Sequence, residues 1–145
     1  ENYDIKLIDE INKVIAKYWI NKIYLDEETL KYLYEKYNLY VFSNWFYEAP
    51  LGRLENVGYL KYFKKIFTSD IYGSKPYKSS FERVLSEIEA SPSECVMIGD
   101  SLRSDINGAI NSGMNAIWFN RKNSIGLENV NYKIINEMSE LKNIL

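Results

Sequence analysis

Four short runs of strand-forming residues recur along the chain, and stretches with helical periodicity separate each run from the next. The runs lie at residues 39–43, 65–68, 95–98 and 115–119. Strands that alternate with helices at this spacing predict right-handed βαβ units, which build a mostly parallel sheet covered on both faces. We therefore predict an α/β fold of three layers (α/β/α) with a Rossmann-like parallel sheet.

The start of the chain has a different pattern, because it is helical with no strand before it. Apolar residues recur every three or four positions between residues 4 and 20, which predicts an amphipathic helix. Asp26 is a good N-cap for a second helix, with Glu27 and Glu28 in its positively polarised first turn. Three further helices are predicted at residues 50–57, 81–88 and 104–112. After residue 130 we predict a weak strand followed by a short helix.

Composition excludes several classes of chemistry and several kinds of partner. The 145 residues suit one domain, and the net charge of −2 argues against a broad nucleic-acid-binding surface. Histidine is absent, which excludes Ser-His-Asp catalysis and leaves acid–base or metal chemistry to carboxylates. The single cysteine, Cys95, fits a reducing compartment, so we expect a cytoplasmic protein. No apolar run approaches the roughly 20 residues of a membrane span, so we expect no membrane partner.

Polar side chains follow three of the predicted strands, at the point where each strand ends. Ser43 and Asn44 follow the first, Lys75 lies in the loop after the second, and Asp100 and Asp105 follow the third. Ligands of open parallel sheets bind beyond the carboxyl ends of the strands. We therefore expect one crevice to hold a hydroxyl group, an ammonium group and two carboxylates.

These groups suit a phosphoryl group together with Mg²⁺. Mg²⁺ takes oxygen ligands and is typically held by one or two carboxylates plus phosphate oxygens, so Asp100 and Asp105 are the candidate metal ligands. Lys75 would neutralise phosphate charge, and the Ser43 hydroxyl would donate to a phosphate oxygen. Asn44 is predicted to join phosphate binding, with the alternative that its side chain only holds the loop. Arg121 could help to bind a phosphate-bearing substrate, but a place on the solvated surface is favoured.

Three segments in order then resemble the second, third and fourth motifs of the haloacid dehalogenase superfamily of hydrolases. They are Val41-Phe42-Ser43-Asn44, Gly73-Ser74-Lys75-Pro76 and Gly99-Asp100-Ser101-Leu102-Arg103-Ser104-Asp105, and the resemblance covers roughly residues 24 to 122. It implies that Ser43 binds the transferring phosphoryl group, that Lys75 holds phosphate and nucleophile, and that Asp100 ligates Mg²⁺ with support from Asp105. It also implies an aspartyl-phosphate intermediate formed on an Asp nucleophile. The expected substrate is a small phosphorylated metabolite.

One motif of that family, an apolar strand that ends in Asp-x-Asp, has no match here. Asp4 and Asp9 are the only aspartates before Asp26, and neither follows a strand-like run. In the family this strand lies between those that end here at Ser43 and Gly99. We therefore predict a core of residues 25–145 that lacks its first strand and its nucleophile, preceded by residues 1–24 as the last helix of a cap. A complementing N-terminal segment or a second copy would close the gap, and the chain alone is expected to be inactive.

Two other functions are compatible with these motifs. A non-catalytic family member would bind a metal or a phosphorylated ligand, or serve as a scaffold, without turnover. A 2-haloacid dehalogenase would release halide without a metal, and the Asp100–Asp105 pair argues against it because the family's true dehalogenases lack this acidic pair.

Overall fold

A computed structural model describes residues 25–126 and 131–145. The predicted helix at 4–20, and with it the assignment of residues 1–24 to a cap, lies outside the described residues. The α-helices are α1 (Glu27–Lys36), α2 (Glu48–Asn56), α3 (Ser69–Tyr72), α4 (Lys78–Glu87), α5 (Asn107–Asn111) and α6 (Leu141–Ile144). The strands are β1 (Tyr40–Ser43), β2 (Lys65–Thr68), β3 (Val96–Gly99), β4 (Asn115–Phe119) and β5 (Lys133–Ile135). Short 3-10 turns lie at Leu60–Tyr62, Pro92–Glu94 and Met138–Glu140, and a π-helical turn lies at Leu102–Ile106.

All strand pairs are parallel, as predicted, but the strands form two separate groups. β1 pairs with β2, with Phe42 opposite Phe67, while β3, β4 and β5 form a second sheet in that order. Within the described part of the chain, β1 and β3 have no strand on their facing edges. This break lies where the sequence predicts a missing strand, between the strands that end at Ser43 and Gly99.

Helices cover both faces of the second sheet, which accounts for the three layers. Successive side chains of a strand point to opposite faces. Ile117 and Phe119 of β4 pack in one buried cluster with residues of α1 and α6, whereas Ala116 and Trp118 pack in another with residues of α4 and α5. The predicted α/β/α fold class is therefore confirmed.

The first described helix begins where the sequence predicts. Both carboxylate oxygens of Asp26 accept hydrogen bonds from Thr29, one from its backbone N–H and one from its hydroxyl group, each at 2.8 Å. These bonds favour the ionised form, so they lower the pKa of Asp26. The N-cap thus satisfies a backbone donor that the first turn of any helix leaves without a partner.

Two predicted elements differ in their details. The predicted helix at 50–57 begins earlier, at Glu48, so Pro50 lies within its first turn, where the lack of an N–H is tolerated. The predicted helix at 104–112 is a π-helical turn followed by the short helix α5. There the N–H groups of Asp105 and Ile106 both donate to the carbonyl of Ser101, at 2.9 and 3.2 Å, which widens the turn. In the described ranges no helix has the length and apolar character needed to cross a bilayer.

Candidate active site

The facing edges of β1 and β3 border a cavity of about 900 Å³. Val41, Phe42, Met97 and Ile98 give it apolar walls. Much of its polar lining follows the carboxyl ends of the strands, and all five site residues predicted from the sequence belong to it: Ser43, Asn44, Lys75, Asp100 and Asp105. The topology of the sheet therefore brings together residues that are up to 62 positions apart (105 − 43) in the chain.

Lys75 presents a buried ammonium group, and three contacts hold it. The residue is 8% exposed. Its Nζ forms an ion pair with Asp105 Oδ1 at 2.8 Å and donates to the carbonyl of Phe42 at 2.5 Å. It also lies 5.0 Å from the centre of the Phe42 ring, within cation–π range. A charge held in this way is already in position for an anionic ligand, so little reorganisation is needed on binding.

Asp105 owes its position to the end of β3 and to the turn that follows it. Its Oδ2 accepts the N–H of Ser101 at 3.0 Å, and Oδ1, the atom that pairs with Lys75, lies 3.5 Å from the Ser104 hydroxyl. Gly99 leaves the space that this side chain fills, since a Cβ there would lie 2.3 Å from Asp105 Oδ2. Both oxygens of Asp105 therefore have protein partners.

We expect Gly99→Ala to displace Asp105 and to lower the free energy of unfolding by about 1–3 kcal/mol, because overpacking forces neighbouring groups to shift. Gly52→Ala in α2 is the matched control, since its Cβ would meet no atom within 4 Å. That change should be neutral or stabilising, as alanine is better than glycine in a helix interior by about 1 kcal/mol. Urea denaturation measures the free energy of unfolding of both variants, and equal changes in the two would contradict the packing argument.

Asn44 uses its side-chain amide to hold the backbone of Lys75. Its Nδ2 donates to the Lys75 carbonyl at 2.9 Å, and its Oδ1 accepts the Lys75 N–H at 2.8 Å. The loop after β2 is thereby fastened to the end of β1. The direct phosphate contact predicted for Asn44 remains a prediction, and the bonds observed match the alternative of a loop-holding role.

Ser43 and Asp100 present their polar groups to the cavity. Ser43 Oγ accepts the N–H of Trp45 at 3.2 Å, which leaves its O–H free to donate to a ligand. The Asp100 carbonyl accepts from the indole N–H of Trp118 at 3.1 Å, which fixes the backbone at the end of β3. The Asp100 carboxylate lies 3.4 Å from Arg121 Nη2, and these side chains are 54% and 33% exposed. A pair so open to solvent is weak, so a ligand can displace Arg121 from Asp100.

Among the described residues, two further cations line the cavity that the sequence analysis does not select as site residues. Arg121, for which the solvated surface is favoured there, lies in the cavity wall beside Asp100. It lies two residues after β4, so it also follows the carboxyl end of a strand, which is the signal that pointed to Ser43 and Asp100. Arg53 of α2 lines the cavity as well. No signal in the sequence marks Arg53, because it lies inside a helix and not at a strand end.

The chain is similar to several known proteins. It is 36% identical over 86 residues to the pyrimidine 5′-nucleotidase PynA of Streptococcus pneumoniae, an alignment that covers 58% of this chain and 36% of that enzyme. A HAD phosphatase from Thermococcus onnurineus superposes with a TM-score of 0.80 at 30% identity, over 91% of this chain and 63% of that one.

The putative HAD-hydrolase YfnB of Bacillus subtilis, in a structure bound to magnesium, superposes with a TM-score of 0.76 at 29% identity, over 81% of this chain and 53% of that one. This chain thus spans about a third of the nucleotidase and roughly half to two thirds of the two structural relatives. The sequence profile of the haloacid dehalogenase-like hydrolases matches residues 4–113. With the parallel sheet and the clustered strand-end residues, this match shows that the chain belongs to the haloacid dehalogenase-like hydrolase family.

Proposed function

We propose that the protein to which this chain belongs hydrolyses a small phosphate monoester with the help of Mg²⁺, through an aspartyl-phosphate intermediate. The observation that carries this proposal is the buried ammonium group of Lys75, held beside Ser43, Asp100 and Asp105 in one cavity. Phosphoryl transfer depends mainly on positioning and on stabilising charge, and this cluster offers both.

Each side chain has a role that its contacts support. The Ser43 hydroxyl donates to an oxygen of the phosphoryl group, and Lys75 neutralises the charge that builds on it. Asn44 acts as a positioning residue, since both ends of its amide hold the Lys75 backbone. Asp105 holds the Lys75 ammonium group in place.

The oxygen donors of the cavity fit Mg²⁺, which needs only one or two carboxylates when phosphate oxygens and water complete its shell. The Asp100 carboxylate is the one to hold the ion directly, because it is half exposed and only weakly paired with Arg121. Asp105 would support the ion through water, as its oxygens contact Lys75, Ser101 and Ser104. Bound there, the ion would neutralise phosphate charge and orient the phosphoryl group.

The nucleophile of this reaction has no counterpart in the described cavity. Among residues 25–126 and 131–145, Asp100 and Asp105 are the only carboxylates that line it. We propose that an apolar strand ending in Asp-x-Asp fills the gap between β1 and β3, supplied by an N-terminal segment or by another chain. The first aspartate would attack phosphorus and displace the alcohol, and the second would give a proton to the leaving oxygen. The second aspartate would then take a proton from the water that hydrolyses the aspartyl-phosphate, which releases phosphate and frees the first aspartate. The 145-residue chain alone would be inactive. The same lack of a described nucleophile favours a second candidate, a non-catalytic protein that binds phosphate or metal.

Binding of inorganic phosphate, measured by calorimetry with and without Mg²⁺, tests the site directly. We expect Mg²⁺ to strengthen phosphate binding. In the presence of Mg²⁺, Asp100→Asn should weaken phosphate binding at least about ten-fold, as is found when groups that support a metal are removed. Asp70→Asn is the matched control, because Asp70 is exposed on α3 and lies outside the cavity lining. Phosphate binding that ignores Mg²⁺, or equal losses in the two variants, would contradict the proposed metal site.

A further inference from the structure

Arg53 carries a buried polar atom that lacks a partner. It lies in the last turn of α2 and lines the cavity, and its Nε is buried with no hydrogen-bond acceptor among the described residues. A buried donor without an acceptor is destabilising, and such groups are rare in folded proteins. A buried Nε–H group without an acceptor at a cavity wall is therefore a candidate contact for a ligand.

The other cations of the cavity lining already have carboxylate partners. Lys75 pairs with Asp105, and Arg121 pairs with Asp100. Arg53 takes part in none of the ion pairs formed within the described ranges. Of the three cations that line the cavity in the described part of the chain, Arg53 is thus the one without a carboxylate partner.

We propose that the cavity takes phosphate monoesters that carry a second anionic group, and that Arg53 binds this second group. This inference rests on the proposed function, in which Ser43 and Lys75 bind the phosphoryl group. Arginine suits the role because its planar fork of N–H donors matches carboxylate or phosphate oxygens in pairs.

Calorimetry with non-hydrolysable phosphonates in the presence of Mg²⁺ tests this specificity on the full 145-residue chain. Phosphonoacetate and 3-phosphonopropionate are each compared with their carboxamides, which keep the shape and remove the second charge. Methylenebisphosphonate, with ethylphosphonate as its reference, tests a second phosphate-like group in place of a carboxylate. In at least one pair, we expect the ligand with the second anionic group to bind about ten-fold more tightly than its reference ligand. This factor is typical of a partly buried hydrogen bond to a charged group.

Variants assign that preference to a residue. Arg53→Gln should bring the ratio within each pair close to one while leaving the binding of ethylphosphonate unchanged, and Arg53→Lys should keep a preference of at least about three-fold because it keeps the charge. Arg83→Gln is the matched control, since Arg83 is exposed on α4 and lies outside the cavity lining. Thermal unfolding verifies that each variant is folded. Should Arg53→Gln not fold, the preference of Arg53→Lys for the ligand with the second anionic group is compared with that of the wild-type chain.

The outcomes separate this inference from the proposal on which it rests. A wild-type chain that binds no phosphonate overturns the phosphate site, and the inference with it. A chain that binds both members of every pair equally overturns the inference alone. So does an Arg53→Gln variant that loses both members of a pair to the same extent, since Arg53 would then contact the phosphoryl group itself.

Discussion

Lys75→Met is expected to lower the free energy of unfolding by about 3–5 kcal/mol, because it leaves the buried carboxylate of Asp105 without its counter-ion. The two side chains are 7% and 9% exposed, so water can replace little of the lost interaction. The variant should also lose its affinity for phosphate. Urea denaturation at neutral pH measures the first effect, and calorimetry measures the second.

Two control variants separate the effect of burying the ion pair from the effect of removing a positive charge. Lys65→Met removes the Lys65–Glu87 pair, whose side chains are 42% and 45% exposed, and should change stability by no more than about 1 kcal/mol. Lys75→Met/Asp105→Leu removes both charges of the buried pair and should be more stable than Lys75→Met alone. A Lys75→Met variant no less stable than Lys65→Met would show that the buried pair contributes little.

Addition of an apolar peptide that ends in Asp-x-Asp is expected to give the chain phosphatase activity. The facing edges of β1 and β3 are unpaired within the described part of the chain, and such edges accept an added strand through backbone hydrogen bonds. The polar end of the gap is also where Phe42 and Asp105 hold Lys75. Hydrolysis of p-nitrophenyl phosphate with Mg²⁺ should rise at least about 100-fold over the chain alone, since the loss of a nucleophile typically removes more than this.

The matched peptide replaces the first aspartate of Asp-x-Asp by asparagine, so that it keeps the strand but lacks the nucleophile. It should bind to the chain and give no turnover, and the active peptide should fail with Asp100→Asn. Turnover by the chain alone, or equal activity with both peptides, would refute the proposed origin of the nucleophile. Binding of both peptides without turnover would favour the non-catalytic candidate.

The parts of the fold and site that follow local rules could be read from the sequence. Short apolar runs gave the first four strands to within about a residue, and the rule for strand ends brought Ser43, Lys75 and Asp100 to one cavity. Arg53 could not be found in this way, because its place in the wall depends on how α2 packs. At residues 104–112 the sequence predicts a regular helix, because helical periodicity does not reveal the bond from the Ile106 N–H to the Ser101 carbonyl that makes Leu102–Ile106 a π-helical turn.

The contact between Lys75 and Asp105 joins the half of the protein built on β1 and β2 to the half built on β3, β4 and β5. Ser43 belongs to the first half and Asp100 to the second, so the same contact helps to set the spacing between the two groups proposed to meet the phosphoryl group and its metal ion. A variant that breaks this contact would therefore weaken the binding site and the fold together.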